Sequence, residues 1–154
     1  MFEIIEIKED RWDEIVRSFA DYDVYYLSGY VKGFQIHGDG DPILLYYSSD
    51  YLRAVCALFR RELEGGGFDV ITPYGYGGFI FDGELHSDNM TQFQAYFYAF
   101  MQYNGIVSGF FRYHPILKNA EVVRSVLPII DLGRTIDINL TSKDVVFENL
   151  TSKN

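Results

Sequence analysis

The order of apolar periodicities along this 154-residue chain predicts a mixed α/β fold built as one domain. Three observations carry that expectation. Two apolar runs, residues 43–47 and 51–60, flank a short polar turn and read as an antiparallel hairpin. A long helical stripe over residues 87–103 lies between two further strand-like runs, 68–72 and 106–113, which is the pattern of a crossover between parallel strands. The composition, 48% hydrophobic and 23% charged, suits a single well-filled core, and no internal repeat, low-complexity segment or linker divides residues 1–154.

Each element has its own local reason. Residues 2–7, Phe-Glu-Ile-Ile-Glu-Ile, alternate closely enough for a strand with one apolar face. Residues 10–20 place Trp12, Ile15, Val16 and Phe19 at helical spacing. Asp21-Tyr-Asp23 reads as a turn, after which Ser28 is expected to cap a short helix over 29–36 with Tyr30, Val31 and Phe34 on one side. His37-Gly-Asp-Gly-Asp-Pro42 reads as a turn cluster, the hairpin turns near Ser48-Ser-Asp50, and Gly65-Gly-Gly67 ends its second strand. Pro73 stops the next strand, which opens into Tyr74, Gly75, Tyr76, Gly77 and Gly78 and then a long connection.

In the long helix, Phe93, Tyr96, Phe97, Phe100 and Met101 follow the i, i+3, i+4, i+7, i+8 spacing of one buried face, and Asn104-Gly105 ends it. After strand 106–113, His114-Pro115 is a break and 120–126 a short helix. Residues 135–140 alternate Ile136, Ile138 and Leu140 against Asp137 and Asn139 as a half-buried strand. Residues 142–150 close the pattern as a helix with Val146, Phe147 and Leu150 inward. The resulting order is β-α-α-β-β-β-α-β-α-β with a last short helix.

Composition also excludes. Twenty-two acidic residues against 13 Lys and Arg leave a net charge of −9, which disfavours DNA binding by phosphate neutralisation and contact with an acidic membrane. The single cysteine, Cys56, rules out an intramolecular disulfide. The first ten residues lack the basic and long apolar regions of a signal peptide, and no stretch has the apolar length of a membrane span, so a cytoplasmic protein is expected. His37, His86 and His114 lack metal-ligand spacing, and Asp39 and Asp41 lack the other ligands of a calcium loop. Ser108 stands outside any nucleophile elbow, and Cys56 sits in an apolar strand where thiols are inert. Asp82, Glu84 and Asp88 are candidate general bases whose alternative is simple solvation.

The aromatic content, 13 Phe, 13 Tyr and 1 Trp, is high. Most of these rings are expected in the core. The tyrosines of the Gly-rich segment are the exceptions, because Tyr74 to Gly78 can offer amide N–H groups to a phosphate or carboxylate and ring faces to a sugar or peptide stem. The alternative is a tight turn whose glycines only relieve backbone strain. Arg112 and His114 follow a strand end, a favourable place for a substrate contact; the alternative pairs Arg112 with a carboxylate and His114 with backbone.

Three segments carry a resemblance. Asp69-Val-Ile-Thr-Pro-Tyr-Gly-Tyr-Gly-Gly78 resembles the Thr-Pro-Tyr-Gly-Tyr-Gly-Gly signature of the Fem-type branch of the GNAT superfamily, the aminoacyltransferases of peptidoglycan bridges and related acyltransferases of polysaccharide assembly. Phe110-Phe-Arg-Tyr-His-Pro-Ile-Leu-Lys-Asn119 resembles that family's Phe-Arg-Phe-His-Pro-Leu-Leu-x-Asn segment, and Arg134-Thr-Ile-Asp-Ile-Asn-Leu140 is similar to the strand that follows. With residues 21–30 the likeness covers nearly the whole chain in register, and the order of elements is that of GNAT-type acyltransferases.

The resemblance implies a GNAT-like fold and the first of two tandem halves. It places Tyr74, Gly75, Tyr76, Gly77, Gly78, Arg112, His114 and Asn119 at an acceptor-side cleft for a small molecule or a cell-wall or polysaccharide precursor. The donor, acyl-CoA or an aminoacyl-tRNA, would belong to a C-terminal GNAT-like half. This chain is expected to hold no cofactor, since residues 73–89 lack the Gln/Arg-x-x-Gly-x-Gly/Ala pattern that presents amides to the pyrophosphate of coenzyme A. A face including Val146, Phe147 and Leu150 would then be covered by the missing half or by a homodimer. A stand-alone binding module with the same fold stays open beside this reading.

Overall fold

The structure, a computed structural model, describes residues 1–136. A mixed sheet of six strands forms its centre: β1 (Phe2–Glu6), β2 (Asp41–Ser48), β3 (Leu52–Glu62), β4 (Phe68–Ile71), β5 (Ile80–Gly83) and β6 (Ile106–Phe110). The strands run in the order β1-β2-β3-β4-β6, and β5 pairs with β3. All pairs are antiparallel except β4 with β6, which are parallel, as expected for a crossover through α3 (Ser87–Tyr103).

Strand alternation sends successive side chains to opposite faces and so builds two cores. Leu45, Tyr47, Ala54, Cys56 and Leu58 bury against α3, with Val123 of α4 (Asn119–Val123) on the same side. Leu44, Val55, Ala57 and Phe59 bury on the other face, against Trp12 and Val16 of α1 (Arg11–Arg17) and Val31 of α2 (Ser28–Gln35). Of the stripe on α3, Phe93 and Phe97 are buried together with Met90, whereas Phe100 and Met101 are half-buried and Tyr96 is exposed at its margin. Phe2 sits within 5.0–6.1 Å of the rings of Tyr47, Phe79, Phe93, Phe97 and Phe100, so much of the aromatic content fills this face.

Several expectations are corrected. Ser28 is the first residue of α2 rather than its cap; Leu27 holds the cap position, and the Ser28 amide donates to Asp13 Oδ1 at 2.8 Å. The turn at 21–23 leads into a single 3-10 turn, Val24–Tyr26, capped by Asp23. Asp41 and Pro42 belong to β2, and the connection after Gly78 contains β5. Strand β6 stops at Phe110 and the short helix spans Asn119–Val123. Thr135 and Ile136 are not in a strand, and the rest of the expected strand 135–140 and the helix 142–150 lie outside the described residues. Among the described residues no helix is long and apolar enough to cross a membrane.

The pairing of β3 explains where the Gly-rich segment sits. Its second half pairs with β4, from Phe59↔Ile71 to Glu62↔Phe68, and its first half with β5, from Leu52↔Gly83 to Val55↔Ile80. Residues 72–79 are therefore an excursion between two stretches held on one neighbouring strand. Tyr74 to Gly78 lie within it.

Candidate functional site

The excursion is braced from both sides. Thr72 Oγ1 accepts from the Arg112 amide at 3.1 Å, and the Gly77 amide donates to the Arg112 carbonyl at 2.7 Å, which continues the β4–β6 alignment into the loop. Gly75 has φ +97°, and a Cβ there would overlap the Tyr25 ring; Gly78 has φ +85°, and a Cβ there would overlap Tyr113. These two glycines are required both by backbone angle and by close approach. The Tyr30 hydroxyl donates to the Tyr74 carbonyl at 2.9 Å, and the Tyr74 ring stacks on Phe34 at 5.8 Å.

Asn119 is the hub beneath the loop. Its side chain is buried, Nδ2 donates to the carbonyls of Gly77 at 2.8 Å and Phe79 at 3.1 Å and to the Tyr26 hydroxyl at 3.2 Å, and Oδ1 accepts from the His114 amide at 2.8 Å. Its hydrogen-bonding capacity thus goes to the protein itself. Tyr26 is positioned in turn by Trp12, whose Nε1 donates to the Tyr26 carbonyl at 2.9 Å. Burial pushes the Tyr26 phenol well above its ordinary pKa, so that hydroxyl stays protonated.

His114 is buried beside this hub. Its Nδ1 accepts from the amides of Ile116 at 3.2 Å and Leu117 at 3.3 Å, which leaves the ring proton on Nε2. Nε2 then donates to Asp23 Oδ2 at 3.2 Å, while Asp23 Oδ1 accepts from the Val24 amide at 2.5 Å. Both ring nitrogens are thus engaged by protein groups, and the ring positions the Asp23 carboxylate and the neighbouring tyrosine rings. Tyr25 and Tyr76 stand 5.7 and 5.5 Å from the His114 ring and 5.9 Å from each other, edge to face.

These groups border a cleft of about 460 Å³ lined by Asp23, Tyr25, Tyr76 and His114 together with Ile116, Lys118 and Ile136. That volume is within the range of small-molecule sites. The chain matches no protein-family model, no curated protein and no solved structure.

Of the residues singled out from sequence, Tyr76 and His114 line the cleft. Gly75, Gly77 and Gly78 shape its loop, and Asn119 anchors that loop from below. Tyr74 points along the outer surface and is 71% exposed. Arg112 is exposed and joins the loop through its backbone. The acids considered as bases lie elsewhere: Asp82 is on β5, paired with Arg53, and Glu84 and Asp88 are exposed around the start of α3. Asp23, Tyr25 and Lys118 were missed as site residues; the first two have as their only local signal a Tyr/Asp-rich stretch that reads equally well as a turn. Cys56 is buried with its thiol pushed far up by desolvation, which leaves it inert. Among the described residues no cluster of three or more His, Cys, Asp or Glu is placed to hold a metal ion.

Proposed function

We propose that this chain is the acceptor-side, GNAT-like domain of a Fem-type acyl or aminoacyl transferase of the cytoplasm. The cleft beside His114 takes a small-molecule or cell-wall or polysaccharide precursor, and a second GNAT-like half brings the acyl-CoA or aminoacyl-tRNA donor. One observation carries the reading. The three stretches 21–30, 74–78 and 112–119, distant in sequence and each part of the resemblance, converge on one cleft through Asp23, Tyr76 and His114. The parallel β4/β6 pair across α3 is compatible with the GNAT-like arrangement.

A specific observation favours a second reading, a binding module without chemistry of its own. Both His114 nitrogens and the Asn119 amide are bonded to protein, and the Cys56 thiol is buried. The described cleft thus offers no free imidazole or thiol to a reaction. In the first reading the reacting groups come from the second half.

Calorimetric titration with UDP-N-acetylmuramoyl-pentapeptide and with acetyl-coenzyme A tests the first reading. Saturable binding of the precursor, weakened by Tyr76→Ala, with no binding of acetyl-coenzyme A and no transfer by this chain alone, is expected. Low-micromolar binding of acetyl-coenzyme A without binding of the precursor would overturn it. Precursor binding by the product of the full reading frame, without transfer from either donor, would decide for the module.

A further inference from the structure

Lys118 is the one described residue other than glycine with a positive φ, at φ 52° and ψ 27°. That left-handed conformation penalises a side chain with a Cβ, and glycine or asparagine would occupy it at lower cost. The Lys118 amide donates to the His114 carbonyl at 3.0 Å and its carbonyl accepts from the Glu121 amide at 3.1 Å, bonds that glycine or asparagine would make equally, and its side chain makes no cap bond, so the identity of the residue calls for a reason outside the backbone. The side chain supplies one, because Lys118 lines the same cleft as Tyr25 and Tyr76.

Charge points the same way. Among the described residues Lys8, Arg11, Arg17, Arg53, Arg61 and Arg124 pair with carboxylates, whereas Lys32, Arg60, Arg112, Lys118 and Arg134 do not, and of these unpaired cations Lys118 alone lines the cleft. Lys118 has no carboxylate within ion-pairing distance among the described residues, and it is exposed. The acid of the same cleft, Asp23, already accepts from the Val24 amide with one oxygen and from His114 with the other. Among the described residues the negative charge of the cleft is therefore held by protein donors, while Lys118 has no carboxylate partner.

We propose that Lys118 is an anion-holding residue, binding a carboxylate or phosphate oxygen of a ligand whose ring or apolar stem lies against Tyr25, Tyr76 and Ile116. An ammonium beside such a wall favours a ligand that carries both features over a free ion or a neutral ring. The inference rests on the cleft being a ligand site and is independent of transferase chemistry.

The test uses three small probes with the whole chain: phenyl phosphate, benzoate and the uncharged benzyl alcohol, followed through the amide resonances of Ile116, Lys118 and Tyr76. Both anions should shift these resonances saturably, benzyl alcohol should not, and the tighter anion names the oxyanion preferred. Lys118→Asn, which suits the backbone angle, should keep the thermal midpoint of the parent or raise it and weaken anion binding at least fivefold; Lys118→Arg should retain binding. The proposal is overturned if Lys118→Asn binds the anions as the parent does, if benzyl alcohol binds equally well, or if no saturable shift occurs at the cleft. A sharp fall in the midpoint of Lys118→Asn would also overturn it, since the lysine would then serve the fold. Pentapeptide precursor bound equally by the parent and Lys118→Asn would remove the Lys118 role and leave the acceptor reading standing. Anion binding without precursor binding would do the reverse.

Discussion

Asp23 and His114 stand 91 residues apart in the chain and 3.2 Å apart in the fold. The contact ties the 3-10 turn before α2 to the segment after β6, and it fixes the imidazole that Tyr25 and Tyr76 flank. Asp23→Ala removes both the cap of that turn and the partner of the ring, and should cost about 1–2 kcal/mol, the usual size of a lost cap. Asp23→Asn keeps a capping oxygen and should cost less. Urea denaturation of the two variants measures the difference, and equal losses would mean that the carboxylate facing His114, rather than the cap, carries the effect.

Asn119→Ala should be more damaging. It strips partners from the buried carbonyls of Gly77 and Phe79 and from the His114 amide, and buried groups left unpaired cost ~1–3 kcal/mol each before relaxation. A urea midpoint within error of the parent would show that the loop does not depend on this hub.

Phe97→Ala should cost ~3–5 kcal/mol, as large-to-small aromatic changes in packed cores do. Phe97 touches the rings of Phe2, Phe79 and Phe93 in the face beneath α3. The thermal midpoint checks this directly.

Two glycine substitutions should act in opposite directions. Gly75→Ala forces a methyl into the Tyr25 ring at φ +97°, so it should destabilise the fold and shift the Tyr25 resonances. Gly33→Ala lies in α2 with open space around it and should stabilise by about 0.5–1 kcal/mol through helix propensity. A stabilised Gly75→Ala would contradict the close packing of the loop.

Stability should fall on the alkaline side. Burial raises the pKa of Tyr26 and Tyr113 above the ordinary 10.0 and that of Cys56 above 9.0. Below those ordinary values both folded and unfolded chains hold the protons and the contribution is fully present. Above them the unfolded chain releases protons that the fold retains, so stability declines from about pH 9–10 upward. Thermal midpoints from pH 8 to 11, with tyrosinate absorbance recorded in parallel, test this; Tyr26 and Tyr113 should ionise only on unfolding.

The elements most legible in the sequence were those fixed by a long local pattern. The stripe from Phe93 to Met101, ended by Asn104-Gly105, marks α3 at its observed bounds, and the two apolar runs around the Ser48-Ser-Asp50 turn yield the β2–β3 hairpin. What stayed hidden depends on partners far along the chain. Strand β5 is four residues, Ile-Phe-Asp-Gly, with no period of its own, and it exists because β3 is long enough to pair with it after pairing with β4. Pro42 looks like a turn residue, yet it pairs with Phe59 just beyond the last β1 partner, Glu6↔Ile43, where β1 asks for no amide. The loop and His114 were visible as candidates, whereas Asp23 became a site residue only through a contact no local window contains. Lys118 was hidden for another reason, since its backbone angle is not written in its side chain.

The interrupted strand and the cleft belong to different stages of folding. Strands β2 to β5 pair with neighbours close in sequence, so their loops close at small entropic cost, while Asp23 must wait for a partner 91 residues later. On the ribosome that delay is roughly 5–18 s at ~5–20 residues per second. The scaffold therefore precedes the pocket in time, and the pocket should also be first to open in the finished protein. Native-state hydrogen exchange would register this as lower opening free energies at Gly77 and His114 than at Leu45 and Cys56, and a chain that exchanged uniformly would contradict it.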